Sequence, residues 1–394
     1  MNITLLVFFL HDSIYGQKIR GDERRFLELS RRFHEKGIKM YVLEHYNLQK
    51  ALYGKLTYTP IITGLTPGKR SKVGEILRLF KLLVITIAVA LKLKYDIIYV
   101  HNQDFENVFF AFLAKIVSRK PVVIVVHYIS SDDIRSKKHL LTMPIKYSKD
   151  LLWRVILRNA DALITVSRYV AIQTISRIKP ESRKIYVCGN GVDIHRFKPL
   201  NLPKIYDAAF LGRIDFNQKG IDILLKAWTL VRLKDPNAKL IIIGGGIEED
   251  YYKLKLMINK LSLIDNVIVT KFVPDADLLK LLNESKVFVF PSRFEGFGLA
   301  PLEAMACGLP CILSNIPVFK ELYGSIAIFV EPNDYKALAN QIVEILREEK
   351  HREDISTRSR EYAEKFRWER VEYCEMKIFE NLLKKGKESV SFRG

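Results

Sequence analysis

A rhythm constrains this chain more than any single motif. Short apolar runs recur from end to end, each followed by a loop and a stretch of helical periodicity. Ile3–Leu10, Lys39–Glu44, Asp96–His101, Pro121–His127, Ala162–Ser167 and Lys184–Cys188 form a first series. A second series restarts with Ala208–Gly212, Lys239–Ile243, Asn266–Thr270, Val287–Phe290, Cys311–Ser314 and Ile326–Val330. Runs without polar alternation are strands buried on both faces, and a helix between successive strands makes them parallel. Between the series, Pro199 and Pro203 bracket a short linker. At 394 residues the chain is long for one core and natural for two. The expectation is an α/β protein of two doubly wound domains divided at 198/199, with ligand bound at the strand carboxyl ends.

Charge is distributed unevenly. Residues 1–199 hold 34 Lys and Arg against 16 Asp and Glu, a net +18, whereas residues 200–394 hold 29 against 28, a net +1. The first half is therefore expected to face something anionic, with a solvated basic surface as the plainer alternative. Four scattered cysteines, Cys188, Cys307, Cys311 and Cys374, lack metal-ligand spacing and read as thiols of a reduced, cytoplasmic compartment. The opening MNITLLVFFL has no basic stretch before its apolar run and reads as a buried strand, not a signal peptide. The most apolar stretch, Leu82–Leu91, is about half the length a membrane-crossing helix needs.

The densest cluster of chemistry is PSRFEGFGLAPLEAMACGLP, residues 291–310. Pro291 ends a strand, Gly296 and Gly298 permit a tight turn, Pro301 suits a helix start, and Gly308 suits its end. A helix N-terminus near Gly298 and Leu299 offers free N–H groups to an anion such as a diphosphate. Glu295 and Glu303 flank that turn, and a carboxylate accepts hydrogen bonds from paired hydroxyls, as on a sugar ring. Taken alone, Glu303 could equally serve the helix dipole and Glu295 be a loop charge. Their company counts against that. Arg213 follows the first strand of the second series and Lys219-Gly220 the loop after it, two cations suited to a diphosphate leaving group. Ile241–Gly246 (IIIGGG) runs a strand into a glycine turn that includes Gly244, an incomplete dinucleotide fingerprint.

Together with NGVD (Asn190–Asp193), FLGR (Phe210–Arg213), FVPDADL (Phe272–Leu278) and the E-x7-E element Glu295/Glu303, the chain resembles the retaining glycosyltransferases of family 4, the group 1 transferases. In the first half, Arg20–Arg25, Val125–His127 and Val166-Ser167 look like that family's glycine loop, strand-end histidine and short helix-start motif. The resemblance implies a GT-B fold of two Rossmann-like domains facing across a cleft: an acceptor-side domain over 1–198, a nucleotide-sugar domain over 199–366, and a helix and tail over 367–394 returning to the first domain. It implies transfer of a sugar from a nucleotide-sugar donor to an acceptor hydroxyl with retention of configuration, the leaving diphosphate helping to deprotonate the acceptor. Arg213 and Lys219 would bind the diphosphate, Glu303 the ribose, and Glu295 the transferred sugar. Gly298 and Leu299 would offer amides, Phe272 and Val273 would meet the base, and Gly244 and Asn190 would line the donor site. Gly21 would let the first loop approach the donor, and His127 would lie on the acceptor side. The nucleotide sugar is a substrate, so neither cofactor nor metal is implied. Where the family often has two consecutive glycines, this chain has Arg20-Gly21, which leaves less room near the donor.

Other signals weigh less. Asp275-Ala276-Asp277 has the D-x-D form of metal-dependent transferases but reads as a helix start, with Asp275 as N-cap and Asp277 in the first turn. Gly64–Arg70 has the wrong spacing for a phosphate loop. Two glycosylation sequons, at Asn2 and Asn283, carry no meaning in a cytoplasmic chain. His101 reads as a satisfied core histidine. Arg78, Lys81 and Lys92 share one side of an otherwise apolar helix, which reads as a crossover helix packed on the sheet ahead of a membrane-lying one. The basic stretch Arg135–Lys149, aided by Lys69–Lys72, is the expected contact with an anionic membrane surface, which suits a lipid-linked or cell-envelope glycan acceptor and a peripheral place on the membrane's inner face. A GT-B-fold isomerase or phosphorylase and a basic nucleic-acid-binding protein are the alternatives. No pyridoxal lysine motif favours the former, and no recognition motif favours nucleic acid.

Overall fold

The computed structural model describes residues 3–10, 21–45, 57–64, 72–129, 143–181 and 184–391. The chain divides into two compact units, Met1–Gly189 with Glu369–Gly394, and Asn190–Trp368. Its crossings thus fall at 189/190 and 368/369, where the sequence pattern put 198/199 and 366/367.

The first unit is built on seven parallel strands: β1 (Thr4–Phe9), β2 (Lys39–Glu44), β3 (Thr59–Ile62), β4 (Ile97–Val100), β5 (Val122–Val126), β6 (Ala162–Thr165) and β7 (Ile185–Val187). Their order is β3-β2-β1-β4-β5-β6-β7, so the winding reverses between β1 and β4. The central strands are closed on both faces, with Val7, Val42, Ile98, Ile124 and Leu163 wholly buried. Continuous Val/Ile runs therefore suit them where alternating patterns would not. Helices α1 (Gly21–Glu35), α2 (Lys72–Lys92), α3 (Phe105–Ser118), α4 (Met143–Arg158) and α5 (Arg168–Ile178) provide crossovers. Ser167 caps α5 through its side chain, which accepts from the Val170 amide at 3.1 Å.

Two features depart from the sequence pattern. Strand β3 has no apolar run to announce it: TPII is part-exposed and holds Pro60, which only an outer strand tolerates. Helix α2 buries a single stripe, including Arg78, Leu82, Thr86 and Ala90, and leaves a wide apolar face in solvent. It is a packed crossover helix on one side only. The stretches 65–71 and 130–142 lie outside the described residues, and with them Lys69-Arg70 and most of Arg135–Lys149.

The last helix, which we label αC (Trp368–Ser391), belongs to the first unit from Glu369 onward. Phe379 is wholly buried there, edge-on to Phe33 and Tyr99. Arg25, Tyr99 and Glu375 form a closed polar cluster beneath it: Glu375 pairs with Arg25 and accepts from the Tyr99 hydroxyl at 3.0 Å, while Arg25 donates to that hydroxyl at 3.2 Å. Burial opposes charge on Arg25, but Glu375 and Tyr99 overcome it and raise the guanidinium above its ordinary range. Cys374 on αC is joined to Cys188, just beyond β7, by a disulfide. The reading of all four cysteines as reduced thiols fails for this pair. Their separation of 186 residues carries no spacing signal, because αC alone brings them together. Cys307 and Cys311 are free and buried.

The second unit holds six parallel strands, β8 (Tyr206–Leu211), β9 (Leu240–Ile243), β10 (Val267–Thr270), β11 (Ser285–Phe290), β12 (Cys311–Ser314) and β13 (Ile328–Val330), ordered β10-β9-β8-β11-β12-β13. Winding reverses between β8 and β11. Helix α6 (Ile221–Lys234) buries Trp228 completely. Where the chain enters and leaves this unit, its two segments lie together. The Val192 amide donates to the Phe366 carbonyl at 2.7 Å, and a Cβ on Gly191 would stand 2.7 Å from Trp368.

Candidate active site

The winding reversal of the second sheet places two loops side by side at the carboxyl ends of β8 and β11, the position where doubly wound sheets bind ligands. The loop after β8 is shaped by Asp215, whose Oδ1 accepts from the amides of Asn217 (3.0 Å) and Gln218 (2.9 Å). Arg213, with 58% of its side chain exposed, donates to Asp215 Oδ2 at 2.7 Å and to Gln218 Oε1 at 3.0 Å. Arg293, from the β11 loop, ties the two loops together. It bonds the Phe216 carbonyl and forks onto both oxygens of Asp222 at 3.1 and 2.8 Å. The sequence pattern did not single out Arg293, Asp222, Asp215 or Gln218; an arginine beside Phe294-Glu295 was the available signal.

Lys219 and Glu295 meet directly. Their side chains are ion-paired and largely buried, at 15% and 10% exposure, and the Ser292 hydroxyl donates to the same Glu295 oxygen at 3.0 Å. The Lys219 ammonium lies 5.0 Å over the Phe290 ring. These two residues are joined as one unit, where the resemblance implies separate tasks. An ammonium has three N–H donors, so pairing with one carboxylate oxygen leaves capacity for an anion. Gly220 makes the approach possible: at φ 65°, a Cβ there would meet the Pro291 carbonyl oxygen at 2.1 Å.

Beyond Glu295 the chain turns at Gly298 (φ 89°) into α7, an eight-residue helix over Leu299–Ala306. Gly298 has no room for a side chain, since a Cβ would lie 2.6 Å from the Phe319 ring. Its carbonyl accepts from the buried Tyr323 hydroxyl at 2.8 Å. Burial holds Tyr323 well above the ordinary phenol range, and the nearby charges of Glu295 and Glu303 add to this, so both carboxylates lie within electrostatic reach of one hydroxyl. Glu303 is 5% exposed on α7. Cys307, one turn further, is pushed up to about 12 by burial and by Glu303. Gly244, closing β9, has φ 147°, and a Cβ there would stand 1.9 Å from the Gly212 carbonyl oxygen. Phe272 (40% exposed) and Val273 follow β10 on the same edge of strand ends. Asn190 is buried at the first position of this unit.

Asp275 is the first residue of a helix over Asp275–Asn283, capped by Pro274, and it is ion-paired with Arg196. The expectation of Asp275 as N-cap is thus displaced by one residue, because Pro274 already supplies the extended backbone. Among the described residues, no group of three His, Cys, Asp or Glu could hold a metal ion.

In the first unit, His127 follows β5 half-buried, with Nε2 donating to the His101 carbonyl at 2.9 Å and its amide to Gln103 Oε1 at 2.9 Å. His101 is the satisfied core histidine its position suggests: Nδ1 faces the Phe8 carbonyl at 3.0 Å, and Nε2 faces the Asn102 amide nitrogen at 3.0 Å. Gly21 is the first residue of α1 and lies on the surface, while the loop before it is outside the described residues.

Two family models tile nearly the whole chain: Glycosyltransferase Family 4 over residues 19–196 and Glycosyl transferases group 1 over residues 192–362. The chain belongs to the family 4, group 1 glycosyltransferases. This family 4 chain has the GT-B architecture of two parallel-sheet α/β units, matching sucrose-phosphate synthase of Thermosynechococcus elongatus with a TM-score of 0.80 at 19% identity over 97% of this chain and 100% of that one. HepE of Anabaena, solved in complex with UDP-glucose, matches with a TM-score of 0.72 at 18% identity over 99% of each chain. By sequence, the chain is 32% identical over 164 residues to O-antigen chain mannosyltransferase B of Escherichia coli, covering 41% of this chain and 42% of that protein. Across the first curated relatives, the matched stretch spans 42% to 63% of the relative's length.

Proposed function

We propose that the protein transfers a sugar from a nucleoside-diphosphate sugar to an acceptor hydroxyl, with retention of anomeric configuration. The observation that carries this reading is the Lys219–Glu295 pair, set at the winding reversal beside Arg213 and the N-terminus of α7. A cationic pair of side chains next to free helix amides suits a diphosphate, and a buried carboxylate on the same spot suits sugar hydroxyls. Arg213 and Lys219 stabilise charge developing on the leaving diphosphate. Glu303 holds the ribose and Glu295 the transferred sugar, with Lys219 ion-paired to Glu295. The Gly298 and Leu299 amides complete the anion site, the Phe272–Val273 backbone meets the base, and Gly244 and Asn190 line the donor. Gly21 lets the first loop approach the donor, and His127 serves the acceptor side. A metal-free reaction fits the D-x-D stretch, where Asp275 starts a helix and is ion-paired with Arg196.

The acceptor is a lipid-linked or cell-envelope glycan. The +18 of the first half suits an anionic, phosphate-bearing acceptor, and relatives carry the names O-antigen chain mannosyltransferase B and capsular polysaccharide biosynthesis glycosyltransferase. A thermal-shift screen of nucleotide sugars identifies the donor, because a ligand at a hundred times its Kd adds about 2.7 kcal/mol. Arg213→Ala and Glu303→Ala are each expected to weaken donor binding at least tenfold, about 1.4 kcal/mol, with the unfolding transition unchanged. Unaltered donor affinity in both variants removes the site assignment, and inversion of the anomeric centre in the product removes retention. Turnover is expected to survive exhaustive chelation; loss of turnover that manganese restores contradicts the metal-free reading.

A further inference from the structure

Helix α2 presents to solvent a face as apolar as a core. Val73, Ile76, Phe80, Val84, Ile87 and Leu91 are exposed at 66%, 66%, 61%, 50%, 37% and 69%, and Leu77 joins them at 55%. Their spacing confines all seven to an arc of about 100° on a helix turning 100° per residue. The buried stripe of Arg78, Leu82, Thr86 and Ala90 lies opposite, against the fold. A helix needs only one apolar face to pack, so the second is not explained by the first unit's own core.

We propose that this face lies flat in the surface of an anionic lipid bilayer. Orientation comes from the packed side: Arg78 is held by Glu75 and, at 2.8 Å on each nitrogen, by both oxygens of Glu106 on α3, so α2 cannot roll. The chosen occupant follows from charge. Lys81 and Lys92 are exposed beyond one edge of the apolar arc, at about 90° and 110° from its centre, where their ammonium groups reach lipid phosphates while their stems follow the apolar surface. The only carboxylate of the helix, Glu75, is neutralised by Arg78. A second copy docking through this face would bring one +18 half against another, whereas an anionic surface is attracted to it. The helix spans 21 residues, about 31 Å, and no helix among the described residues is long and apolar enough to cross a membrane. An apolar face rimmed by lysines on such a helix is the pattern of an element lying in the interface.

Vesicle flotation of the full chain, without donor or acceptor, tests this independently of the transferase reading. The protein is expected to float with vesicles of equal parts phosphatidylglycerol and phosphatidylcholine at low salt, and to be released at high salt. Phe80→Glu is expected to reduce that binding at least tenfold, and the double variant Lys81→Glu/Lys92→Glu to abolish the preference over pure phosphatidylcholine vesicles. All three positions are exposed, so a circular dichroism spectrum like that of the parent chain confirms that folding is intact. Failure to float with either vesicle, or flotation indifferent to both variants, overturns the proposal. A dimer in sedimentation that Phe80→Glu converts to monomer, with no vesicle binding, assigns the face to a second copy instead.

Discussion

Gly244 shows how single residues set the geometry of the candidate site. With a Cβ excluded at 1.9 Å from the Gly212 carbonyl oxygen, the ends of β8 and β9 approach as closely as two glycines permit. That closeness also lets the Ile214 amide reach the Gly245 carbonyl at 2.8 Å, directing the loop that carries Arg213. Gly244→Ala must both adopt φ 147° and displace backbone, so it is expected to cost about 2 kcal/mol or more, read as a loss of about 5 °C in Tm. An unchanged Tm contradicts the close approach. The glutamates of the E-x7-E element were legible because sequence spacing around a glycine turn survives folding. Their pairing was not. That Lys219 closes on Glu295 depends on Gly220 passing the Pro291 carbonyl, a contact across 76 residues that no local pattern carries.

Among the elements, α2 and α3 are joined by an ion pair between buried Arg78 and part-buried Glu106. Burial pulls the Glu106 carboxyl upward, but the His45 ring 3.6 Å away and the paired hydrogen bonds and charge of Arg78 prevail and hold it at about 2, against an ordinary 4.5. A depressed folded pKa contributes stability that is fully present above pH 4.5 and is lost as pH falls towards 2. Glu106→Gln leaves Arg78 buried without its main partner. It is expected to cost about 3 kcal/mol near neutral pH and to flatten the acid dependence between those two pH values, measured by urea unfolding. A variant as acid-sensitive as the parent chain contradicts the pairing. Most elements could be read beforehand, since buried parallel strands write themselves as unbroken Val/Ile runs. β3 escaped because an outer strand needs no such run, and the exposed side of α2 escaped because apolar residues look alike whether they pack on protein or on nothing.

Across the whole molecule, αC is what the sequence described least well. Its apolar spacing announces a helix, but Arg25, Tyr99 and Glu375 come from three distant segments, and the two bridged cysteines from two. Cys374→Ser removes a crosslink between residues 186 positions apart and is expected to cost about 3–5 kcal/mol, measured as a denaturant midpoint below that of the oxidised parent chain. Put directly, the oxidised parent chain should have the highest midpoint, and the variant should match the parent after reduction. Equal midpoints for all three would contradict a stabilising bridge. Cys307 and Cys311 are expected to resist alkylation in the folded protein at pH 8, because burial holds both thiols far above that value.

The bridge also changes what kind of object the polypeptide is. Cys188 and Cys374 bracket the crossings at 189/190 and 368/369, so every residue of the second unit belongs to a covalent ring, and the first unit supplies two open arms. A protease that nicks the ring once releases nothing: the pieces stay joined on a non-reducing gel and part only when a thiol is added. Tension applied to the two ends is likewise carried from one arm to the other through the sulfur–sulfur bond, and Asn190–Trp368 bears none of it.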